Sequence, residues 1–214
     1  AVILTGAGRG FCSGQDLAAR VRKPGDPPRD LGQSLEERYN PLVRRMRKLP
    51  RPIIVAVNGV AAGAGANLAL NGDVVIAARS AKFIQTFAKV GLMPDAGGTW
   101  LLPRLLGEAR AKALAMLAEP LAAETAAEWG LIWKAVDDAE LMREARGIAA
   151  RLAAQSMTAL AQIKQAIQAA ATTTLDRHLD IERDGQRQLG FGDDYAEGVN
   201  AFLEKRPPRF TDKA

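Results

Sequence analysis

Cys12 is the only cysteine in 214 residues, so one chain can build neither a disulfide framework nor a thiolate zinc site. His178 is the only histidine, which removes Ser-His-Asp and Cys-His catalytic sets and multi-histidine metal sites. Aromatic residues make up 5% of the chain, and Trp100, Trp129 and Trp133 are too scattered to stack successive bases. No stretch reaches the roughly 18 consecutive apolar residues of a membrane span. The opening Ala1-Val2-Ile3-Leu4-Thr5-Gly6 has no basic start, no cleavage site and no initiator methionine. It reads as a strand entered from inside a domain, without a secretory signal, and the expected location is the cytoplasm. Chemistry is left to carboxylates, backbone amides, lysine and arginine.

What is present is ordinary in bulk. At 48% hydrophobic and 25% charged, the chain can bury a large core as one domain, with or without a helical appendage. The 29 Lys+Arg exceed the 24 Asp+Glu to give a net charge of +5, which suits an anionic ligand without requiring one. Basic residues cluster at Arg44, Arg45, Arg47, Lys48 and Arg51, and again at Lys205, Arg206 and Arg209. The first cluster is expected to be a solvated face; an RNA-associated surface is the competing reading.

The pattern changes near residue 106. Before it, strands are expected at Ala1–Leu4, Ile53–Val57 and Val74–Ala78, with an extended piece at Lys82–Phe87. Prolines and glycines predict a mobile loop over 22–32, and Ser34-Leu35-Glu36-Glu37 suggests a capping box opening a helix to Leu49. A small-residue helix is expected over Gly63–Asn71. After residue 106 the 3.6-residue period predicts helices at Glu108–Leu117, Ala123–Trp129, Ala139–Ala154, Thr158–Ala171, Leu175–Leu189 and Tyr195–Lys205. A strand at Leu131–Val136 falls between them. Alternating strands and helices with a helical tail make the chain α/β.

Three segments could carry chemistry. Gly59–Leu68 follows a buried strand and enters a helix, and its glycines and alanines fit tight helix–strand packing first and a ligand cradle second. Phe11–Leu17 is a second glycine loop, where Cys12 reads as a small core residue and Asp16 as a cap. In Leu92–Trp100, Asp95 stands between Pro94 and Ala96-Gly97-Gly98. Desolvation there would raise its carboxyl towards useful basicity, while an N-cap role explains it as well. His178, amid Asp176, Arg177 and Asp180, is expected at the solvated surface.

Taken together and in order, these segments resemble the crotonase (enoyl-CoA hydratase/isomerase) family. The blocks that carry the likeness are AVILTGAGRGFCSGQDL, RPIIVAVNGVAAGAGANLAL, GLMPDAGGTWLLPRLLG, AEWGLIW at 127–133 and EGVNAFLEKRPPRF at the end. The resemblance implies a spiral of ββα units over 1–136, its first unit lacking, and a helical trimerisation region over 137–214. It implies an oxyanion hole made by the backbone N–H groups of Ser13 and Ala64, the latter standing where the family usually has glycine. The two glutamates of the hydratases fall at Asn67 and Phe87, so hydration by that route is not expected. Asp95 falls where the family's isomerases have their working aspartate, and there the resemblance and the elimination of other chemistries agree.

The implied activity is an acyl-CoA isomerase. Ser13 and Ala64 would hold a thioester enolate while Asp95 shuttles a proton, shifting 3-enoyl-CoA to 2-enoyl-CoA or opening ring-1,2-epoxyphenylacetyl-CoA to its oxepin. No separate cofactor or metal is expected, because CoA arrives within the substrate. Arg9, Gln15, Asp16, Leu17, Phe202 and Lys205 are the expected CoA and substrate contacts, with Asn67 and Phe87 in the pocket. A homo-trimer or hexamer is expected, with a sister hydratase as a further partner and neither membrane nor nucleic acid. Competing readings are a hydratase, hydrolase or dehalogenase-like reaction on the same scaffold, and a non-catalytic RNA-binding or complex-scaffold protein.

Overall fold

A computed structural model of the chain describes residues 1–21 and 23–211. Arg22 and residues 212–214, which fall within the expected loop 22–32 and the expected helical region 137–214, lie outside the described residues. The chain forms two compact units, one of Ile3–Arg47 with Ile53–Ala145, the other of Arg146–Ala214 with Ala1–Val2 and Lys48–Pro52.

The larger unit takes most of β1 (Val2–Thr5), then α1 (Leu31–Ser34) and most of α2 (Asn40–Lys48), joined by a π-helical turn at Leu35–Tyr39. It continues through β2 (Ile53–Val57), β3 (Val60–Ala62), α3 (Ala64–Leu70), β4 (Val74–Ala78) and β5 (Lys82–Ile84). After these come α4 (Gly98–Leu117), β6 (Leu121–Ala122), α5 (Ala123–Glu128) and β7 (Lys134–Val136). One sheet runs β1-β2-β4-β7, with β2–β4 and β4–β7 parallel; the other runs β3-β5-β6. All five residues of β2 are buried, so its unbroken apolar run reflects cover on both faces.

Side-chain and backbone fit pin the glycine loop at residues 6–15 onto this frame. Asn58 Oδ1 accepts from Gly6 N at 3.0 Å, and Asn58 Nδ2 donates to the carbonyls of Gly8 and Gly10 at 3.0 and 3.3 Å. Cys12 makes a parallel bridge with Ala61, its N–H bonded to Val60 O and its carbonyl to Ala62 N. A β-carbon at Gly59 would lie 2.1 Å from the Arg9 carbonyl oxygen, so only glycine lets the loop come this close.

Several elements differ from the sequence expectation. Asp30, not Ser34, caps the first helix by accepting from Gly32 N and Gln33 N, so helix begins at Leu31 and the capping box does not form. Gly98–Leu106, where no helix is expected before Glu108, is helical with Pro103 inside it. Buried Leu101, Leu102 and Leu106 hold it against the core, and the break comes at Gly107, with φ 74° and ψ 163°. The strand expected at Leu131–Val136 is shortened to Lys134–Val136. Val60–Ala62, read as part of a glycine loop, is a strand.

The smaller unit takes most of α6 (Leu141–Ala153), then α7 (Met157–Ala170), α8 (Leu175–Gly190) and α9 (Asp193–Leu203). Ser156 and Thr174 cap α7 and α8 through their side-chain oxygens. After α9 the chain turns back along it. Glu197 accepts from Arg206 Nη1 and Nη2 at 2.6 and 3.0 Å and from Arg209 N at 2.6 Å, and Asp194 accepts from Thr211 N at 2.9 Å. His178 is not the solvated residue expected: its side chain is only 16% exposed and its Nδ1 lies 3.2 Å from Thr173 Oγ1. No helix among the described residues is long and apolar enough to cross a membrane.

Candidate active site

A cavity of about 630 Å³ opens within the larger unit, walled by Leu17, Leu35, Phe87, Val90, Leu92 and Met93 among others. Ser13, Ala64 and Asp95 also line it. Its floor is set by glycine contacts. A β-carbon on Gly65 would fall 2.3 Å from the Cys12 carbonyl oxygen, and one on Gly14 would fall 2.8 Å from the Ala62 carbonyl oxygen and 3.2 Å from Ala64 N. The Cys12–Gly14 backbone therefore lies flat against the start of α3. Gly63, with φ 54° and ψ −128°, makes the turn into that helix in a region closed to residues with a side chain. Ala64 is the first helical residue, so its N–H has no partner within the helix and is free for a ligand.

Asp95 sits in the turn before α4. Its Oδ1 is buried and accepts no hydrogen bond from the protein, which leaves a lone pair available. Burial raises its pKa above the usual carboxylate value, and a hydrogen bond to its own backbone only partly opposes this. The turn itself is strained at Ala96, with φ 47°, and left-handed again at Gly97, with φ 85°.

Among the other expected site residues, Gln15, Leu17 and Phe87 line the cavity with Asp95. Asn67 is wholly buried and its side chain is directed at the Asp95 backbone rather than at the cavity. Arg9 lies in the loop at Gly59, and Asp16 accepts from Ala18 N at 2.9 Å as a local cap; neither is among the lining residues. Phe202 and Lys205 belong to the smaller unit, where Phe202 is 83% exposed and Lys205 has φ 53°.

Sequence reasoning missed Tyr39 and Gln85. Tyr39 ends the π-helical turn, lines the cavity and donates to Gln15 Oε1 at 3.3 Å. Its hydroxyl pKa is raised by burial and then by the negative charge of Asp95. Gln85 is buried and donates to Asn67 Oδ1 at 2.8 Å. Neither carries a local signal, since each acts through partners far away in sequence.

A largely apolar cavity lined by Ser13, Ala64 and a carboxyl of raised pKa whose Oδ1 accepts no hydrogen bond has the elements needed to hold a carbonyl oxygen and move a proton beside it. The family model for enoyl-CoA hydratase/isomerase matches residues 1–213. The chain belongs to the enoyl-CoA hydratase/isomerase family. It is 61% identical over 212 residues to the 1,2-epoxyphenylacetyl-CoA isomerase of Escherichia coli K12, covering 99% of this chain and 81% of that protein. It is 51% identical over 211 residues to a probable enoyl-CoA hydratase of Rhodobacter capsulatus, covering 99% and 80%. A crystal structure of an enoyl-CoA hydratase from Polaromonas sp. JS666 superposes with a TM-score of 0.92 at 38% identity, covering 98% and 81%. The α/β fold of the enoyl-CoA hydratase/isomerase family is thus the fold of this enzyme, parallel sheet and C-terminal helices included.

Proposed function

We propose that the enzyme is an acyl-CoA isomerase in which Asp95 is the base. The observation that carries this reading is the Asp95 carboxyl itself: partly buried, raised in pKa, unpaired at Oδ1, and lining the same cavity as Ser13 and Ala64. The Ser13 and Ala64 N–H groups would bind the thioester oxygen and stabilise the enolate, a term whose loss typically costs about 10²–10³ in rate per donor. Asp95 takes the proton from the carbon next to the thioester, which forms the enolate, and returns it two carbons along, which moves the double bond. Neutral Asn67 and Phe87 at the hydratase positions leave no second carboxylate there to activate water.

The likeness to an epoxyphenylacetyl-CoA isomerase supports ring-1,2-epoxyphenylacetyl-CoA as a substrate, with 3-enoyl-CoA as the linear alternative. The cavity's largely apolar walls accept either acyl group. CoA enters as part of the substrate, and no separate cofactor has a step to perform. Arg9, Gln15, Asp16, Leu17, Phe202 and Lys205 remain the proposed contacts for it, and self-association into a trimer or hexamer belongs to the same reading. The test is conversion of each substrate, followed by absorbance for the enoyl-CoA and by product mass and spectrum for the oxepin. Absence of both conversions in protein that binds an acyl-CoA would sink the isomerase assignment.

A further inference from the structure

We propose that Asn67 is the positioning residue for the base, tying the Asp95 turn to the helix that presents the Ala64 amide. This rests on Asp95 being the base and adds what holds it in place. Asn67 lies one turn after Ala64 in α3 and is fully buried. Its Nδ2 donates to the Asp95 backbone oxygen at 2.9 Å, while its Oδ1 accepts from Gln85 Nε2 at 2.8 Å. Because Gln85 presents an amide donor to the oxygen, the amide of Asn67 is oriented and its NH₂ must face the turn.

Asn71, which caps the C-terminal end of α3, repeats the arrangement. Its Nδ2 donates to the Ala96 backbone oxygen at 3.0 Å and to the Asn67 backbone oxygen at 2.8 Å. Two side chains four residues apart, one in α3 and one at its C-cap, therefore grip two successive carbonyls. The grip falls on the part of the chain that resists its own conformation, Ala96 at φ 47°. The fit is close: a β-carbon on Gly98 would lie 2.2 Å from Asn67 Nδ2. The amide and the base are then set relative to each other by a single helix, and a loss of that setting should appear in the chemistry more than in binding.

The experiment compares Asn67→Ala, Asn67→Asp, Asp95→Asn and Ile54→Ala in the conversion of a 3-enoyl-CoA, with kcat and KM taken across pH. Ile54 is buried in β2 and serves as a measure of lost packing alone. Asn67→Ala is expected to lower kcat by about 10–100-fold with KM changed by less than about threefold, because the base is misplaced while binding survives. Its acid limb moves to lower pH as water reaches the Asp95 carboxyl. Asn67→Asp keeps the shape and the acceptor for Gln85 and opens no cavity, so it is the second variant against which a loss of fold in Asn67→Ala is checked. Once ionised it lacks the donor and carries negative charge, so at pH above its own titration kcat falls and the limb moves to higher pH. Ile54→Ala lowers Tm and leaves the limb in place. An acid limb that stays put in both Asn67 variants overturns the positioning role, whatever kcat does. Full activity in Asp95→Asn overturns instead the base assignment beneath it, on a different variant.

Discussion

A carboxyl that loses water on folding holds its proton more tightly in the folded protein than in the unfolded chain, and Asp95 is such a group. Stability linked to it is therefore greatest below the ordinary value of 3.8 and falls as pH rises through the raised folded value. Catalysis runs the other way, since only the deprotonated form can accept a proton, so activity is lost as pH falls through that same raised value. Asp95→Asn separates the two. Activity should fall by about 10²–10⁴-fold, while thermal melts at pH 7 should show a higher Tm than the parent. The Tm gain should shrink as melts are repeated towards pH 4, and a gain independent of pH would contradict the burial argument. In the sequence the small and cyclic neighbours of Asp95 leave it open between a desolvated base and an N-cap, and the family resemblance favours the base. Tyr39 and Gln85 are not legible there, because a hydroxyl on one helix and an amide after one strand acquire meaning only when residues 13–17, 64–67 and 95 converge on them.

The close approach of the glycine loop to α3 makes a sharper demand than any single side chain. In Gly65→Ala the new methyl would meet the Cys12 carbonyl oxygen at 2.3 Å and the Cys12 β-carbon at 2.7 Å, and neither is the end of a flexible side chain. The loop must move away, taking Ser13 N–H with it, and kcat/KM should fall by about 10²–10³, the cost of one oxyanion donor. Circular dichroism should remain that of the parent; unchanged kinetics would show that Ser13 N–H is not used. Glu197 governs the other terminus in the same way. Arg206 and the Arg209 N–H hold its carboxyl at about 2, far below the usual 4.5. The contribution of this clamp is complete above 4.5 and is lost as pH falls through about 2, and Glu197→Gln should expose residues 204–211 to proteolysis at pH 7. Protection equal to the parent would mean that the clamp holds nothing. The elements that the sequence announced share one property: β2, β4 and the helices of the second half carry their periodicity locally. Val60–Ala62 became a strand only by pairing with Lys82–Ile84, and Gly98–Leu106 a helix only by burying leucines. Both depend on partners that no local window contains.

On the whole molecule, charge and apolar surface point in different directions. The basic cluster expected as a solvated face is partly committed: Arg44 pairs with Glu36 at 3.2 Å, and the Arg47 guanidinium lies 4.8 Å from the Trp100 ring centre, with Arg104 at 4.0 Å. Those contacts leave less of it for a phosphate backbone, which weighs against the RNA reading. The apolar surface is different. In the smaller unit Phe191 is 86% exposed, Phe202 83%, Leu175 73%, Leu203 72% and Ile167 69%. Bulky apolar side chains in such number on short neighbouring helices are the usual mark of a surface covered by another chain. Sedimentation should give a mass three or six times the 22.8 kDa of one chain. If Phe202 and Lys205 serve a neighbouring copy's CoA ester, assembly and substrate affinity are linked, and dilution into the dissociation range should raise KM before it lowers kcat. Phe202→Glu should bring that range up to higher protein concentrations by weakening both the apolar contact and the proposed adenine contact. Constant KM across the dissociation range would place all of the substrate contacts within the larger unit of a single chain. The smaller unit would then be left with assembly as its whole contribution.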